Sequence, residues 1–191
     1  MVPLEFKRWV QAVLRDSPFS GKTYLVGGSV RDEVLGLEAQ DLDLVVEEEG
    51  GAKNLCDFLY SLAPEALSRP HNLGAGYPIW QLVFKENLNW REETFLLKGL
   101  EIEVADTQKE MFPDPKSRKR VAVYGTLQED CLRRDFTCNM LYQDLVSHEI
   151  LDPSVRGQSD IAAGLLAGHP KADIVKIFSD DPLRMLRLFR F

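Results

Sequence analysis

Leu25-Val26-Gly27-Gly28-Ser29-Val30-Arg31-Asp32, followed after eight residues by Asp41-Leu42-Asp43-Leu44-Val45-Val46, is the stretch that decides the fold. A short apolar strand over residues 23–26 runs into two glycines, and residues 29–35 have helical spacing that stops at Gly36. Glycines at such a turn let main-chain amides approach a phosphate, and Arg31 can pair with a phosphate oxygen. Residues 42–46 read as a second strand with Asp41 and Asp43 at its start. Two apart on a strand, these carboxylates turn to one face. They repel each other and attract a hard divalent cation. A magnesium ion (Mg²⁺) takes one or two protein carboxylates and leaves room for substrate phosphates. A pair of such ions can activate a hydroxyl and stabilise a leaving oxygen. Taken alone, each half also has a plain reading, as a strand-to-helix turn and a solvated strand end. A calcium loop fails, because Val46 and Ala52 stand where it needs Gly and Glu. A dinucleotide fingerprint fails for want of GxGxxG, and Gly21-Lys22-Thr23 precedes its strand, the wrong order for a phosphate loop.

Outward from this stretch, helices and strands alternate irregularly, which predicts an α+β fold. Phe6, Trp9, Val10, Val13 and Leu14 predict a helix over residues 4–15. A helix is expected over 51–62 and strands over 79–84 and 99–105. A long helix is expected over 127–142, with Leu132, Phe136 and Met140 on one face. Short strands are expected at 149–151 and 174–178, an exposed loop at 114–120, and a helix from Pro182. That last helix, rich in Leu, Phe and Arg, has no capping residue or polar tail before Phe191. The expectation is a fragment cut early in a helical second domain.

The formal net charge of −7 excludes a general nucleic-acid coat, so any RNA contact has to be local. Lys116, Arg118, Lys119, Arg120, Arg133 and Arg134, set against Glu129 and Asp130, make one basic patch, which also reads as a solvated surface. The three cysteines include no CxxC pair and fit reduced thiols. Met1-Val2-Pro3-Leu4-Glu5 lacks the start of a signal peptide, and no apolar run approaches the about 18 residues of a membrane span. A cytoplasmic location follows as the expectation.

Three further motifs follow in order. Asp130-Cys131-Leu132-Arg133-Arg134-Asp135-Phe136-Thr137-Cys138-Asn139 comes first. Asp152-Pro153 with Asp160 comes next. Asp180-Asp181-Pro182-Leu183-Arg184 closes the series and runs on to Arg187 and Arg190. Together with GGSVRD and DLD, this set resembles the DNA polymerase β-like nucleotidyltransferases, and within them the class II CCA-adding enzymes and bacterial poly(A) polymerases.

The resemblance implies a nucleotidyltransferase head over residues 1–178: a small mixed sheet with helices on one side, carrying the active site. Residues 179–191 are then the start of a helical neck. It implies attack of a tRNA 3′ end on CTP or ATP with release of pyrophosphate, with Mg²⁺ as cofactor. Asp41 and Asp43 would hold the metals, and Gly27, Gly28 and Arg31 would meet the triphosphate. Arg134, Asp135 and Asn139 would line the ribose side. Asp181 and Arg184 would read the base edge, with Arg187 and Arg190 completing the pocket. Other readings stay open. Asp181 also reads as a helix N-cap before Pro182. Arg133 and Arg134 also read as surface cations paired with Glu129 and Asp130. The product could be poly(A), or CC or A alone, and the chain could bind nucleotide or RNA without turnover. Glu103 is either a third acidic residue near the metals or an ordinary strand residue. Gln108 stands near the place where many relatives carry Arg, Asp180 replaces the usual Glu, and Val155-Arg156-Gly157 replaces a double glycine.

Overall fold

A computed structural model of the chain describes residues 3–37, 42–74, 77–111, 121–172, 175, 178–179 and 182–189. The elements are α1 (Leu4–Leu14), β1 (Thr23–Val26), α2 (Gly28–Val34), β2 (Leu42–Val46), α3 (Gly51–Leu62), β3 (His71–Asn72), β4 (Ile79–Val83), β5 (Leu88–Trp90) and β6 (Glu93–Phe95). They continue as β7 (Glu101–Asp106), β8 (Gln108–Met111), β9 (Val121–Tyr124), α4 (Leu127–Leu132), a 3₁₀ turn at Thr137–Asn139, β10 (Tyr142–Asp144), β11 (Ile150–Leu151), α5 (Gly157–Ala162) and α6 (Leu183–Arg187). None of the helices described is long and apolar enough to cross a membrane.

Seven strands form one mixed sheet in the order β11-β10-β1-β2-β7-β4-β3. β2 and β7 run parallel, whereas the pairs β10–β1, β1–β2 and β7–β4 are antiparallel. The period of two along each strand divides the sheet into two faces. Leu42, Leu44, Val46, Ile102 and Val104 turn to the main core. There they meet Phe6, Trp9, Val10 and Leu14 of α1 and Leu55, Cys56 and Leu59 of α3. Tyr24, Val26, Val45 and Tyr142 turn to the opposite face and pack with Leu127, Cys131 and Met140. The expectation of helices on one side is therefore corrected: α4 covers part of the second face. On the first face, Lys7 Nζ donates to Glu33 Oε1 at 2.6 Å and to Gln143 Oε1 at 2.7 Å, tying α1, α2 and β10 together.

The long helix expected over 127–142 is also corrected. A capping box of Thr126 and Glu129 starts α4 as its sequence signature requires, but the helix ends at Leu132. Asp135 Oδ1 accepts from Phe136 N at 2.8 Å and from Asn139 Nδ2 at 3.0 Å, a local alternative to helical bonding. Phe136 is extended, with φ −120° and ψ 147°. The turn after it is anchored from a distance. Thr137 N donates to Ala167 O at 2.8 Å, and Thr137 Oγ1 donates to Asp160 Oδ2 at 2.6 Å. The helical spacing of Leu132, Phe136 and Met140 is thus spread over the last residue of a helix, an extended residue and the residue that ends a 3₁₀ turn. The strand expected at 174–178 is corrected as well: Val175 and Phe178 are helical, and the Phe178 ring lies 5.9 Å from that of Phe136. The loop expected at 114–120 lies outside the described residues.

Val155 is a β-branched residue with a φ of 56°. A left-handed conformation costs an L residue roughly 1–2 kcal/mol, and β-branching adds crowding. Val155 is 84% exposed, so it recovers little by packing. Val155→Gly should raise the unfolding free energy by about 0.5–1 kcal/mol, because the entropy glycine adds to the unfolded chain cancels only part of the relief. Urea denaturation checks this, and a loss of stability would show that Val155 is not strained.

Candidate active site

The second face of the sheet collects the polar residues of the motifs. β2 and β7 pair in register with Asp43 beside Glu103. Both carboxylates occupy the face opposite Leu42, Leu44, Ile102 and Val104. The neighbouring pair of β1 and β2 sets Leu25 opposite Leu44, so one step on Val26 comes abreast of Asp43, with Gly27 next in the chain. Gly27 has φ 69° and ψ −132°, a combination in which a side chain is strained. Its conformation turns the chain from β1 into α2 at the edge of the acidic pair.

Two cations border the glycines. A Cβ on Gly28 would lie 3.5 Å from Arg31 Nη2, and one on Gly27 would lie 3.6 Å from Arg134 Nη1. Arg31 Nη1 donates to Asn139 Oδ1 at 2.7 Å, while its Nε donates to Asp32 Oδ1 at 2.8 Å. Asn139 Nδ2 in turn donates to Asp135 Oδ1. Arg187 Nε, on α6, stands 2.9 Å from Asp135 Oδ2. That contact is an ion pair without hydrogen-bond alignment, since Oδ2 accepts no hydrogen bond among the described residues. A chain of alternating charge and amide therefore runs Asp32–Arg31–Asn139–Asp135–Arg187. It joins residues of three separate motifs.

Arg134 belongs to a second cluster, built on Asp130. Asp130 is fully buried. Its Oδ1 accepts from Gln108 N at 3.0 Å and Arg133 Nε at 2.8 Å. Its Oδ2 accepts from Arg134 Nε at 3.0 Å, Arg134 Nη2 at 2.8 Å and the Tyr142 hydroxyl at 2.7 Å. Burial pushes this carboxyl upward, but the guanidinium groups of Arg134 and Arg133 and the Tyr142 hydrogen bond outweigh it and hold it down at about 2. The reading of Arg133 and Arg134 as surface cations paired with Glu129 and Asp130 is right about Asp130, but Glu129 pairs with Lys109 and the partly buried arginines close over a buried carboxylate. Gln108 enters through its main chain, and the residue is buried.

Asp41, Asp181 and Arg190 lie outside the described residues. Arg184 is on α6, half-buried, one turn before Arg187. Among the described residues no group of three or more His, Cys, Asp or Glu side chains is placed to hold a metal. The donor chemistry nevertheless fits a hard divalent ion: Asp43 is exposed, Glu103 stands beside it, and both offer carboxylate oxygens. The sequence marks Asp130 only as an ion-pair partner of the two arginines and does not mark Tyr142. The signal in the sequence is the spacing of Asp130 three and four residues before Arg133 and Arg134.

The chain is similar to known proteins over most of its length. The family described as the poly A polymerase head domain matches residues 23–167. The mitochondrial CCA tRNA nucleotidyltransferase of Saccharomyces cerevisiae is 33% identical over 170 residues, covering 87% of this chain and 30% of its own. A CCA-adding enzyme solved in an apo form superposes with a TM-score of 0.71 at 26% identity, over 97% of this chain and 38% of that one. The Bacillus stearothermophilus CCA-adding enzyme in complex with CTP gives 0.64 at 25% identity, over 98% and 39%. The chain spans about a third of the length of the curated relatives it matches. Enzymes of this kind generally use a divalent metal ion. The ordered motifs, the mixed sheet that carries them and the match over 23–167 together establish that the chain belongs to the family of poly A polymerase head domains.

Proposed function

We propose that the chain is the catalytic head of an RNA nucleotidyltransferase that adds C and A residues to the 3′ end of tRNA. The observation that carries this reading is the register of Asp43 beside Glu103, next to a glycine turn bordered by Arg31 and Arg134. The RNA 3′-hydroxyl attacks the α-phosphate of CTP or ATP. A new P–O bond forms to the RNA as the hydroxyl gives up its proton to water, the bond from the α-phosphorus to the α–β bridging oxygen breaks, and pyrophosphate leaves with the charge that the arginines neutralise. Positioning and charge stabilisation dominate such chemistry. Asp41 and Asp43 would hold Mg²⁺, with Glu103 beside Asp43, and the ion's contribution when bound is Lewis-acid stabilisation of the phosphoryl oxygens. Gly27, Gly28 and Arg31 receive the triphosphate. Arg134, Asp135 and Asn139 line the ribose. Asp181, Arg184, Arg187 and Arg190 complete the base side.

In this reading residues 1–178 form the head and 179–191 begin a helical neck, and the protein works in the cytoplasm. The likeness to a CCA tRNA nucleotidyltransferase and to an enzyme solved with CTP favours CCA addition. The test is incubation of the full-length protein with tRNA lacking its 3′ end and each labelled nucleotide. Ordered incorporation of C, C and A is expected. Long A tracts from ATP alone would replace the reading with poly(A) synthesis, and no incorporation of either nucleotide would overturn it.

A further inference from the structure

Arg134 has three guanidinium nitrogens, and Asp130 engages two of them. Nε and Nη2 both donate to Asp130 Oδ2. Nη1 is the nitrogen turned to Gly27, 3.6 Å from where a Cβ there would stand. The Tyr142 hydroxyl closes the arrangement. It donates to Asp130 Oδ2 at 2.7 Å and accepts from Arg134 Nε at 3.0 Å, while the Tyr142 ring lies 5.1 Å from the guanidinium carbon. A guanidinium bonded along one edge to a buried carboxylate loses its freedom to swing. Asp130, on α4, is itself held by Gln108 N and Arg133, so the anchor cannot shift without breaking bonds to β8 and to the residue that ends its own helix.

We infer that Asp130 is a positioning residue for the incoming nucleotide, acting through Arg134. Together with Tyr142 it commits one edge of the guanidinium to the protein and aims the other past Gly27 at the sugar side of the site. The inference rests on the reading of this face as a nucleotide site. Selectivity for ribose then depends on a residue that touches no ligand.

The experiment is steady-state addition of CTP and of dCTP by the full-length protein, for the parent, Asp130→Asn and Tyr142→Phe, with thermal unfolding measured in parallel. Asp130→Asn keeps the shape and removes the charge. It should raise KM for CTP roughly tenfold and lower the preference for CTP over dCTP about fivefold, with kcat changed less than about threefold. Tyr142→Phe leaves Asp130 and Arg134 in place and should move KM and the preference in the same direction, about two- to threefold. If Asp130→Asn does not fold, Tyr142→Phe alone decides. An active parent whose variants lose melting temperature or kcat, with KM and the CTP preference unmoved, would overturn the positioning role. A parent that adds neither nucleotide would instead overturn the functional reading beneath it.

Discussion

Asp43→Ala should lower nucleotide addition by the full-length protein on the order of a thousandfold or more, equivalent to about 4 kcal/mol of transition-state stabilisation. The loss should fall on kcat, because the carboxylate acts on charge that develops during transfer. The fold should be almost untouched. Asp43 is exposed on β2, between the buried Leu42 and Leu44 that hold the strand to the core. Exchanging an exposed strand residue costs a few tenths of a kcal/mol, up to about 1 kcal/mol. It also removes a like charge beside Glu103. The pair of measurements is single-turnover addition of CTP to a tRNA lacking its 3′ end and thermal unfolding of the same sample. Parent-like turnover would remove Asp43 from the metal site and the mechanism with it.

Trp9→Ala should give the largest loss of stability, about 3–5 kcal/mol. Trp9 is fully buried on α1 and meets Phe84 edge-to-face at 5.5 Å, so truncation leaves a cavity between the helix and the end of β4. Domains of this size are stable by about 5–15 kcal/mol, so the loss takes a large share. Trp9→Phe should cost far less. The indole N–H of Trp9 has no acceptor among the described residues, and a buried donor left unsatisfied costs about 1–3 kcal/mol. Phenylalanine removes that donor and keeps most of the ring. Urea denaturation of the three proteins decides the matter. Equal losses for Ala and Phe would mean that the indole nitrogen is satisfied in solution.

What could be read from the sequence follows from how locally each feature is determined. α1 and α3 carry their core faces at helical spacing, and β1 and β2 are short apolar runs beside glycines, so each could be read from its own residues. The β5–β6 hairpin could not. Its turn residues, Arg91 and Glu92, lack the usual Asn or Gly, and Arg91 takes φ 56° while its guanidinium lies over the Trp90 ring at 4.2 Å. The segment after Leu132 misled for a different reason: Phe136 and Met140 continue the helical period, while Asp135 and the distant Ala167 and Asp160 impose the turn. In the site, the glycines and acidic residues were legible because their motif is contiguous. The role of Asp130 was not, since an acid three and four residues before arginines looks the same on a solvated helix as in a buried cluster.

The parallel pairing of β2 with β7 sets an order on folding. Asp43 and Glu103 are about sixty residues apart in the chain, and that loop must close before either carboxylate has the other as neighbour. α3 and the β5–β6 hairpin lie within the loop and depend on short-range contacts, so they can form on faster timescales. Pairing across such a separation belongs to the slow events of folding. Electrostatic repulsion between the two acids is therefore absent while the early elements gather, and it enters only as β7 docks. A nascent chain accordingly has no acidic pair until the ribosome has released Glu103, well after β1 and β2 have emerged.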